Sequence, residues 1–522
     1  TSTAKEFKQY FEDKKMVTFA HEGDKCDNAL DRVFNKKRAD DRKDWLRAYD
    51  KDAVVDVKAG SISYESFADR EMIHFSKYDC DRSIPNLMDG NKISTRKIMY
   101  AAFKRNLVNE IKVAQFSGYV SEHSCYHHGE ASLVGAIIGM AQEFTGSNNI
   151  NPLLPKGQFG TRMKGGKDHA SERYIFTHLS PITKHIYSPL DNPILNYQDD
   201  DGTPVEPDFY APIIPMVCVN GSKGIGTGFS CDIPAYNPVQ ITKYIISKLE
   251  DVQPTKHPTI EPYYEGFKGT ISKLSKQKYL IKGCYSIVGT DVIQITELPI
   301  GTWTQDYKGF IESLMDDRDK NRKKKVWVKS YTDMSTDTDI DFTIKLMPGT
   351  INKLLPKKSD HGCNLLEKTF RLYTTKTETN MYLFDHEQKL SKYENVYEII
   401  ESYFPIRLKM YHARKAYMIQ QLERDVQILH NKARFIEEQC DDVIDLRRKK
   451  REQVIELLTG RNYSVIDGDA DYKYLRSMRI EQMEEENMKK LRSERDLKIA
   501  ELEKLKATDP KDMWRDELTI LT

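Results

Sequence analysis

The stretch GQFGTRMKGGKDHASERYIF, residues 157–176, combines glycines, basic side chains and one tyrosine beside an arginine. The phenol of Tyr174 is a poor nucleophile near neutral pH, because a tyrosine pKa is about 10. It can attack a phosphodiester when a cation stabilises the developing charge and a base or metal assists. Arg173 could supply that cation, and three further side chains could hold a phosphate backbone: Arg162, Lys164 and Lys167. Taken alone, the stretch favours the plainer interpretation of a buried tyrosine in a basic loop.

The composition outside this stretch is that of a soluble, globular, multidomain chain with a helix-rich part. The chain has 522 residues, of which 30% are charged and 39% are hydrophobic. The net charge is only +1, so nucleic-acid binding would have to use local basic patches. Eight cysteines occur without a CxxC pair, which argues against a zinc site or a disulfide framework and suits a reducing compartment. There is no apolar run of roughly 18 residues, so no membrane span is predicted.

The first 78 residues contain two predicted helices, at 4–11 and 36–46. The second helix has mixed charge, which is typical of a solvated face with ion pairs. Alternatively, Arg42 and Lys43 reach a phosphate backbone.

Residues 79–205 are predicted to form a compact domain with helices at 96–103 and 133–138. Two helices, a glycine-rich loop and many basic residues fit a helix-turn-helix or winged-helix module. The basic residues of this region are Lys92, Arg96, Lys97, Lys104, Arg105 and Lys112. The neighbouring His127 and His128 lack metal-ligand spacing, so a phosphate contact, a catalytic hydrogen bond or a structural role is expected.

Residues 206–388 are predicted to be mixed α/β, with strands at 213–219, 279–281 and 292–296. The glycine loop GIGTG at 224–228 matches neither phosphate-binding motif. Its Ile225 could wedge between base pairs and kink a duplex, although a buried isoleucine is the plainer interpretation. The basic segment 318–329 is predicted to be an exposed loop, with DNA contact or nuclear targeting as alternatives.

From about residue 389 the pattern becomes helical, with apolar residues near heptad spacing at Leu408, Tyr411, Met418, Leu422, Leu429 and Ile436. After a break at 460–468, a second seam is formed by Met488, Leu491, Leu502 and Leu505. Arg495 and Lys498 interrupt this second seam. The pattern predicts an antiparallel arm with a small element at its tip, and with Trp514 and Leu518 packed near its base. Such an arm could serve dimerisation or act as a spacer.

Several of these stretches together resemble one family, the type IIA DNA topoisomerases of the eukaryotic kind. The resemblance covers essentially the whole chain, because the motifs occur in the family's order. These motifs are SIP at 83–85, DG at 89–90, RK at 96–97, KVAQ at 112–115, YHHGE at 126–130, GSNN at 146–149, QFGTR at 158–162, GGKD at 165–168, RYIF at 173–176, EP at 206–207, IPM at 214–216, NG at 220–221, GIGTG at 224–228, ELP at 297–299, TWTQ at 302–305 and LFDH at 383–386.

The resemblance implies the cleavage core of an isomerase that breaks both strands of DNA transiently and passes a second duplex through the gap. Tyr174 would form the 5′-phosphotyrosyl link, Arg173 would stabilise the transition state, and Ile225 would intercalate and bend the duplex. Further positions match DNA contacts or the lining of the active-site groove in the family. They are Arg42, Lys43, Lys92, Arg96, Lys112, Tyr126, His127, His128, Ser132, Gln158 and Arg162.

The implied architecture is an α/β multidomain (α+β) chain acting on double-stranded DNA as a homodimer, because a double-strand break needs two copies of Tyr174. The implied domains are the end of a TOPRIM domain with its linker at 1–78, a winged-helix domain at 79–205, a tower at 206–388, and a coiled-coil arm with the exit gate at 389–522.

The resemblance also implies Mg²⁺ and, in the full-length protein, ATP. The family's acidic metal ligands are expected upstream of Thr1, since Asp40-Asp41 does not match them, and no metal site is expected in this chain. The chain starts without methionine, which suggests a fragment. Residues 1–50 resemble a TOPRIM end fused ahead of the winged helix, whereas bacterial enzymes carry that domain on a separate chain, so a bacterial enzyme is disfavoured.

A nuclear or a viral enzyme is expected. The alternative functions are a non-cleaving architectural DNA-bending protein and a scaffold that does not bind DNA.

Overall fold

The computed structural model describes residues 2–14, 16–253, 258–315, 326–479 and 485–522. The chain divides into two units. The first comprises Thr1–Ser188, Leu195–Phe404 and Leu521–Thr522, and the second comprises Pro189–Ile194 and Pro405–Ile520. The fold is mixed α/β, as the sequence predicts.

The amino-terminal part of the first unit consists mainly of short helices. The first helix begins with a capping box, in which the backbone N–H groups of Thr3 and Glu6 each donate to the other residue's side chain. The elements are α1 (Ala4–Glu12), β1 (Thr18–Ala20), α2 (Asp24–Phe34), α3 (Ala39–Arg47), β2 (Ser61–Ser63), α4 (Tyr64–Phe67) and α5 (Ile73–Ser83). β1 and β2 pair in parallel. The predicted helices at 4–11 and 36–46 are confirmed, the second as a 3₁₀ turn followed by α3.

The next part of this unit combines helices with a small sheet and carries the stretch around Tyr174. Its elements are α6 (Ile93–Lys104), β3 (Ile111–Lys112), α7 (Val113–His123), α8 (Glu130–Ala141), β4 (Leu153–Lys156), β5 (Phe176–Leu179) and α9 (Pro181–Ile186). The three strands are antiparallel in the order β3-β5-β4. The helices predicted at 96–103 and 133–138 are confirmed as α6 and α8, and α7 is a further helix that the sequence pattern did not reveal.

The remainder of the first unit alternates strands and helices. The elements are β6 (Tyr197–Asp200), β7 (Thr203–Pro207), α10 (Met216–Asn220), β8 (Ser222–Ile225), β9 (Ser230–Ile233), α11 (Pro238–Leu249), β10 (Thr270–Ser275), β11 (Lys278–Lys282), β12 (Cys284–Gly289), β13 (Val292–Glu297), α12 (Thr304–Ser313), β14 (Val328–Asp333), β15 (Phe342–Leu346), α13 (Thr350–Leu354), α14 (Leu365–Thr369), β16 (Tyr373–Thr377), β17 (Met381–Phe384) and β18 (Leu390–Tyr393). The larger sheets run β12-β13-β15-β14, β18-β17-β9-β8 and β10-β11-β16. Tyr307 and Ile311 of α12 lie in one apolar core with Ile293, Ile295 and Phe342.

One predicted strand is wrong and two are confirmed. The apolar run 213–219 ends in helix α10, whereas 279–281 and 292–296 lie in β11 and β13. Every residue from Ile213 to Val219 is buried, and a short run buried on all sides carries no periodicity that separates strand from helix. Of the basic segment 318–329, residues 318–325 lie outside the described residues, and β14 begins at Val328.

The second unit consists mainly of helices that pair in antiparallel order. α15 (Val396–Cys440) supplies most of its residues to this unit, and the other helices are α16 (Arg451–Gly460), α17 (Lys473–Arg476), α18 (Glu485–Ala507) and α19 (Pro510–Leu518). Lys506 pairs with Glu423 at 3.0 Å and Arg492 pairs with Glu437 at 2.7 Å, so later residues of α18 meet earlier residues of α15. Over the described part of the chain, no helix is both long and apolar enough to cross a bilayer.

A buried ion network ties the short segment Pro189–Ile194 to the helices of the second unit. The carboxylate of Asp191 accepts hydrogen bonds from Arg407 and Arg414, each with a shortest distance of 2.8 Å. Arg414 also donates to Glu517 at 2.6 Å, and both arginine side chains are fully buried. Charged groups are tolerated there because each guanidinium has a carboxylate partner.

Candidate active site and nucleic-acid interface

Tyr174 projects from a tight turn that leads into strand β5. Its backbone N–H donates to the Ser171 carbonyl at 2.9 Å, and the next residue, Ile175, accepts from the Val113 N–H at 3.0 Å. The turn is therefore fastened to the start of α7, which keeps its backbone fixed. The Tyr174 side chain is nevertheless 76% exposed, so the alternative of a buried tyrosine is wrong.

Arg173 is exposed beside this tyrosine, with 79% of its side chain accessible. Its Nε lies 3.8 Å from the carboxylate of Glu172. The pKa of Glu172 is lowered, first by a hydrogen bond to its own backbone and then by the Ser171 hydroxyl, so this carboxylate stays ionised. Because an exposed ion pair of this kind is weak, the guanidinium can exchange its partner for a phosphate.

The loop that precedes the turn takes its shape from Asp168 and from two glycines. The backbone N–H and the hydroxyl of Thr161 both donate to Asp168, at 2.9 and 2.6 Å. Burial would raise the pKa of Asp168, but these bonds outweigh it and lower the pKa. A Cβ added to Gly160 would lie 2.5 Å from the Gly166 carbonyl oxygen. Only glycine at this position allows the loop to cross itself so closely.

A segment much later in the chain holds this loop in place. Arg162 forms an ion pair with Glu297, and both side chains are almost completely buried. The Thr304 N–H donates to the Arg162 carbonyl at 3.3 Å. Gly165 has a φ of +61° and packs on the indole of Trp303, where an added Cβ would come within 2.3 Å of the ring. The loop before Tyr174 is thus held by the segments around Glu297 and around Trp303 and Thr304.

Several predicted DNA contacts lie on the surface. The exposed side chains among them are Lys112, His127, Ser132 and Gln158, and the basic residues Lys164 and Lys167 are also exposed. Lys112 lies next to the Tyr174 turn, because its strand β3 pairs with β5 and its ammonium group is 5.9 Å from the Phe176 ring. Cations at these positions could meet the backbone phosphates of a duplex.

His128 is half-buried and held by an aromatic neighbour. Its Nε2 lies 2.5 Å from the Tyr78 hydroxyl, and its ring packs edge-on against Tyr126 at 5.2 Å between centroids. Its pKa is lowered, first by burial and then by the positive charges of Arg82, His127 and Lys97. The lowered pKa favours the neutral imidazole, which can donate one hydrogen bond and accept another.

Three predicted phosphate ligands face inward instead. Arg42 donates to backbone carbonyls that include Asn35 at 2.6 Å, and Arg96 donates to Asp89 at 2.7 Å. Arg162 forms the buried pair with Glu297 described above. The structure therefore differs from the prediction that Arg42 contacts DNA and that Arg96 and Arg162 line the groove, because their guanidinium groups are buried and bond to protein atoms. Each of them holds together parts of the protein itself.

Three further predicted contacts are partly engaged by the protein. The ammonium of Lys92 donates to the Lys223 carbonyl at 2.8 Å, and burial lowers its pKa. Lys43 pairs with Asp40 at 2.8 Å, and this hydrogen bond raises the pKa of Lys43. Tyr126 is largely buried, with 8% of its surface exposed. Lys92 and Lys43 would need to exchange a protein partner to bind DNA directly.

Ile225 ends strand β8 and stands out from its surroundings. It is 77% exposed, whereas Phe229 and Cys231 on the same hairpin are buried. The hairpin turn is closed by a hydrogen bond from Gly226 N–H to the Phe229 carbonyl at 2.9 Å. The alternative of a buried isoleucine is therefore wrong, and the side chain is available as an apolar wedge.

The resemblance places the Mg²⁺ ligands of the family upstream of Thr1, outside this chain. Across the described ranges of the chain, no three His, Cys, Asp or Glu side chains lie together as metal ligands would. What these residues present at the surface is an exposed phenol, an exposed guanidinium and several exposed lysines.

The arrangement as a whole suits attack on a phosphodiester. An exposed phenol sits beside an exposed guanidinium on a loop whose backbone is fixed, and further cations flank it. A fixed nucleophile lowers the entropic cost of reaching the attack geometry, and neighbouring cations stabilise the charge that develops on phosphate oxygens.

Sequence reasoning missed the acidic residues that build this site. Asp168 and Glu297 each lie inside a motif noted in the sequence, but the motif alone predicts no role for either. Only the structure shows that Asp168 bonds to Thr161 and that Glu297 pairs with Arg162. Arg162 and Glu297 are 135 residues apart in the sequence. A single acidic residue within a basic or apolar run is the signal that could have drawn attention to them.

Comparison with known proteins identifies the class. Residues 82–519 match the family of the A subunits of DNA gyrase/topoisomerase IV, and residues 1–80 match the C-terminal associated domain of TOPRIM. The chain therefore belongs to the type IIA DNA topoisomerases.

The relatives themselves are eukaryotic enzymes. The chain is 43% identical to DNA topoisomerase 2 of Plasmodium falciparum (isolate K1 / Thailand) over 94% of its length and 34% of that protein. It is 38% identical to DNA topoisomerase 2-alpha of Cricetulus griseus over 100% of its length and 36% of that protein. The chain thus spans about a third of the length of these relatives.

A solved structure is also similar. The crystal structure of the Plasmodium falciparum topoisomerase II DNA-binding, cleavage and re-ligation domain matches with a TM-score of 0.85 and 40% identity. The match covers 99% of this chain and 72% of that one.

Proposed function

We propose that this chain is the DNA-binding and strand-breaking core of a topoisomerase that passes one duplex through a transient break in another. The observation that carries the proposal is the exposed Tyr174 beside Arg173 on a loop held in place by buried partners. The relatives named DNA topoisomerase 2 support it. The architectural alternative gains no support from these relatives.

In the proposed reaction the Tyr174 oxygen attacks a backbone phosphorus and forms the 5′-phosphotyrosyl bond. The bond from phosphorus to the 3′ oxygen breaks, and that oxygen takes a proton in place of the one that the phenol loses. Arg173 stabilises the negative charge on the phosphate oxygens during the exchange. One ester replaces another, so the 3′ hydroxyl can reverse the step and reseal the strand.

The DNA is proposed to lie across the exposed residues near this turn, with Ile225 inserted between base pairs. Bending a duplex costs roughly 1–10 kcal/mol, which contacts to additional phosphates would offset. The proposed phosphate contacts are Lys43, Lys92, Lys112, His127, His128, Ser132 and Gln158, with Arg42, Arg96, Tyr126 and Arg162 bracing them.

The domain organisation is proposed to follow the family. A TOPRIM end at 1–78 precedes a winged helix at 79–205, a tower at 206–388 and a coiled-coil arm at 389–522. Antiparallel pairing of α15 with α18 supports the arm, and the sheet of β3, β4 and β5 beside α6 to α8 supports the winged helix. The protein would act as a homodimer in the nucleus, with Mg²⁺ and ATP used by the whole enzyme.

The test traps covalent protein–DNA adducts with denaturant after the full-length protein meets a nicked duplex and Mg²⁺. The wild-type protein should form adducts and Tyr174→Phe should form none, while both bind DNA with similar affinity. Tyr10→Phe is the matched control, because Tyr10 is also exposed but lies on α1. Adducts that persist in Tyr174→Phe would refute the assignment, and bending without adducts in any variant would favour the architectural alternative.

A further inference from the structure

The turn that follows Ile225 is bonded directly to the end of helix α5. The carboxylate of Asp79 accepts two hydrogen bonds from Thr227, one from the backbone N–H and one from the hydroxyl, both at 2.9 Å. Asp79 and Thr227 are 148 residues apart, so the helix and the hairpin come from distant parts of the chain. Both bonds run to a carboxylate, and hydrogen bonds to charged groups are among the stronger ones.

A second residue of α5 holds the same turn. The Cys80 thiol donates to the Thr227 carbonyl at 3.3 Å. Burial, followed by the nearby Asp79 and Asp81, raises the pKa of Cys80 to about 12, so the thiol keeps its proton for this bond. The backbone N–H, the hydroxyl and the carbonyl of Thr227 are therefore all bonded to α5.

The hairpin glycines bring the two backbones into contact. A Cβ added to Gly224 would lie 1.8 Å from the Ser83 carbonyl oxygen, and one added to Gly226 would lie 3.1 Å from Cys80. Gly228 has a φ of +78° and packs on Arg42. A Cβ added to Gly228 would lie 3.1 Å from the Cβ of Arg42. No side chain can be inserted between hairpin and helix at these glycines without moving one of them.

These contacts surround the side chain of Ile225 without covering it. A wedge that parts stacked bases must resist the force that restores the stack, and an exposed side chain has no packing of its own to hold it. We propose that Asp79 and Thr227 are positioning residues for Ile225, which clamp its hairpin to α5 so that the wedge cannot fold back when it enters DNA. This inference rests on the proposed function, in which Ile225 bends the duplex.

The test compares Thr227→Val with Thr227→Ser in the full-length protein. Valine keeps the shape and removes the hydroxyl donor, whereas serine keeps the donor. DNA labelled at both ends reports bending by energy transfer at saturating protein concentration. Thr227→Val should lower the ratio of bent to unbent DNA by about tenfold, as expected for loss of one charge-assisted hydrogen bond. Thr227→Ser should bend DNA like the wild type.

Hydrogen exchange of the DNA-free protein measures the clamp independently of bending. The amides of residues 226–228 should exchange faster in Thr227→Val than in Thr227→Ser, while those of α6 stay unchanged. Unchanged exchange in Thr227→Val, or wild-type bending by that variant, would overturn the clamp. Ile225→Ala serves as the reference for the wedge itself. If Ile225→Ala bends DNA normally while the amides still respond to Thr227→Val, the proposed wedge fails and the clamp stands as a structural contact.

Discussion

Replacing Glu297 by glutamine should loosen the loop that leads to Tyr174. The Glu297 carboxylate is completely buried and accepts hydrogen bonds from the Arg162 guanidinium and from the Leu298 N–H at 2.8 Å. Glutamine has the same shape, but its amide turns an N–H group toward donors that need an acceptor. The Arg162 charge would then be buried without a partner, a loss that typically costs about 3–5 kcal/mol.

The assay is urea unfolding followed by tryptophan fluorescence. With a slope of about 2 kcal/mol per M, a loss of this size moves the midpoint by about 1.5–2.5 M. The yield of DNA adducts should fall as well, because the turn carrying Tyr174 follows the loop that this pair secures. A double variant, Glu297→Leu with Arg162→Met, should recover much of the loss, since apolar residues of similar size need no charge partner.

The matched control is Asp339→Asn, which removes the partner of Lys268 at the surface. Both of these side chains are more than half exposed, so water can replace the lost contact and the midpoint should hardly move. A Glu297→Gln loss below about 1 kcal/mol, or equal shifts in the two variants, would refute the view that the buried pair holds the loop.

Three further predictions concern other parts of the chain. Asp191→Asn should lower the free energy of unfolding by about 3–5 kcal/mol in thermal melts followed by circular dichroism, because two buried arginines lose their shared carboxylate. The pKa of His128 lies below its ordinary 6.5 in the folded protein, so as the pH falls the unfolded chain binds this proton before the folded protein does. The free energy of unfolding should therefore fall as the pH drops below 6.5. His128→Gln should flatten this part of the plot of stability against pH. Gly165→Ala should reduce adduct yield about tenfold, since a left-handed backbone costs roughly 1–2 kcal/mol and the Cβ meets Trp303. Gly301→Ala separates the two effects, because its φ of +82° is also left-handed but nothing lies within 4 Å, and equal losses in both variants would contradict the clash.

Much of the fold could be predicted from local pattern. The apolar face of α6 and the alternation of β13 are properties of a few neighbouring residues, and both elements formed as predicted. The run that became α10 could not be assigned, because burial on every side removes the contrast between faces that distinguishes helix from strand.

The sequence motifs pointed to Tyr174, Arg173 and Ile225 as candidate site residues, but not to their exposure or to the buried contacts around them. Tyr174 lies in a motif that can be read along the chain, and its exposure follows from a turn of a few residues. The inward orientation of Arg96 and Arg162 depends on the carboxylates that reach them, and no local pattern distinguishes a basic residue that meets DNA from one that pairs inside the protein. The Asp79–Thr227 contact was missed for the same reason, because it joins two otherwise ordinary polar residues across a long separation.

The network around Asp191 also has a consequence for synthesis of the chain. Asp191 leaves the ribosome 216 residues before Arg407 and 223 before Arg414. At about 5–20 residues per second, its carboxylate stays hydrated for roughly 10–45 s before either guanidinium exists. The segment Pro189–Ile194 therefore docks only after α15 has emerged, so a nascent chain that stalls earlier would leave it open to proteases and chaperones.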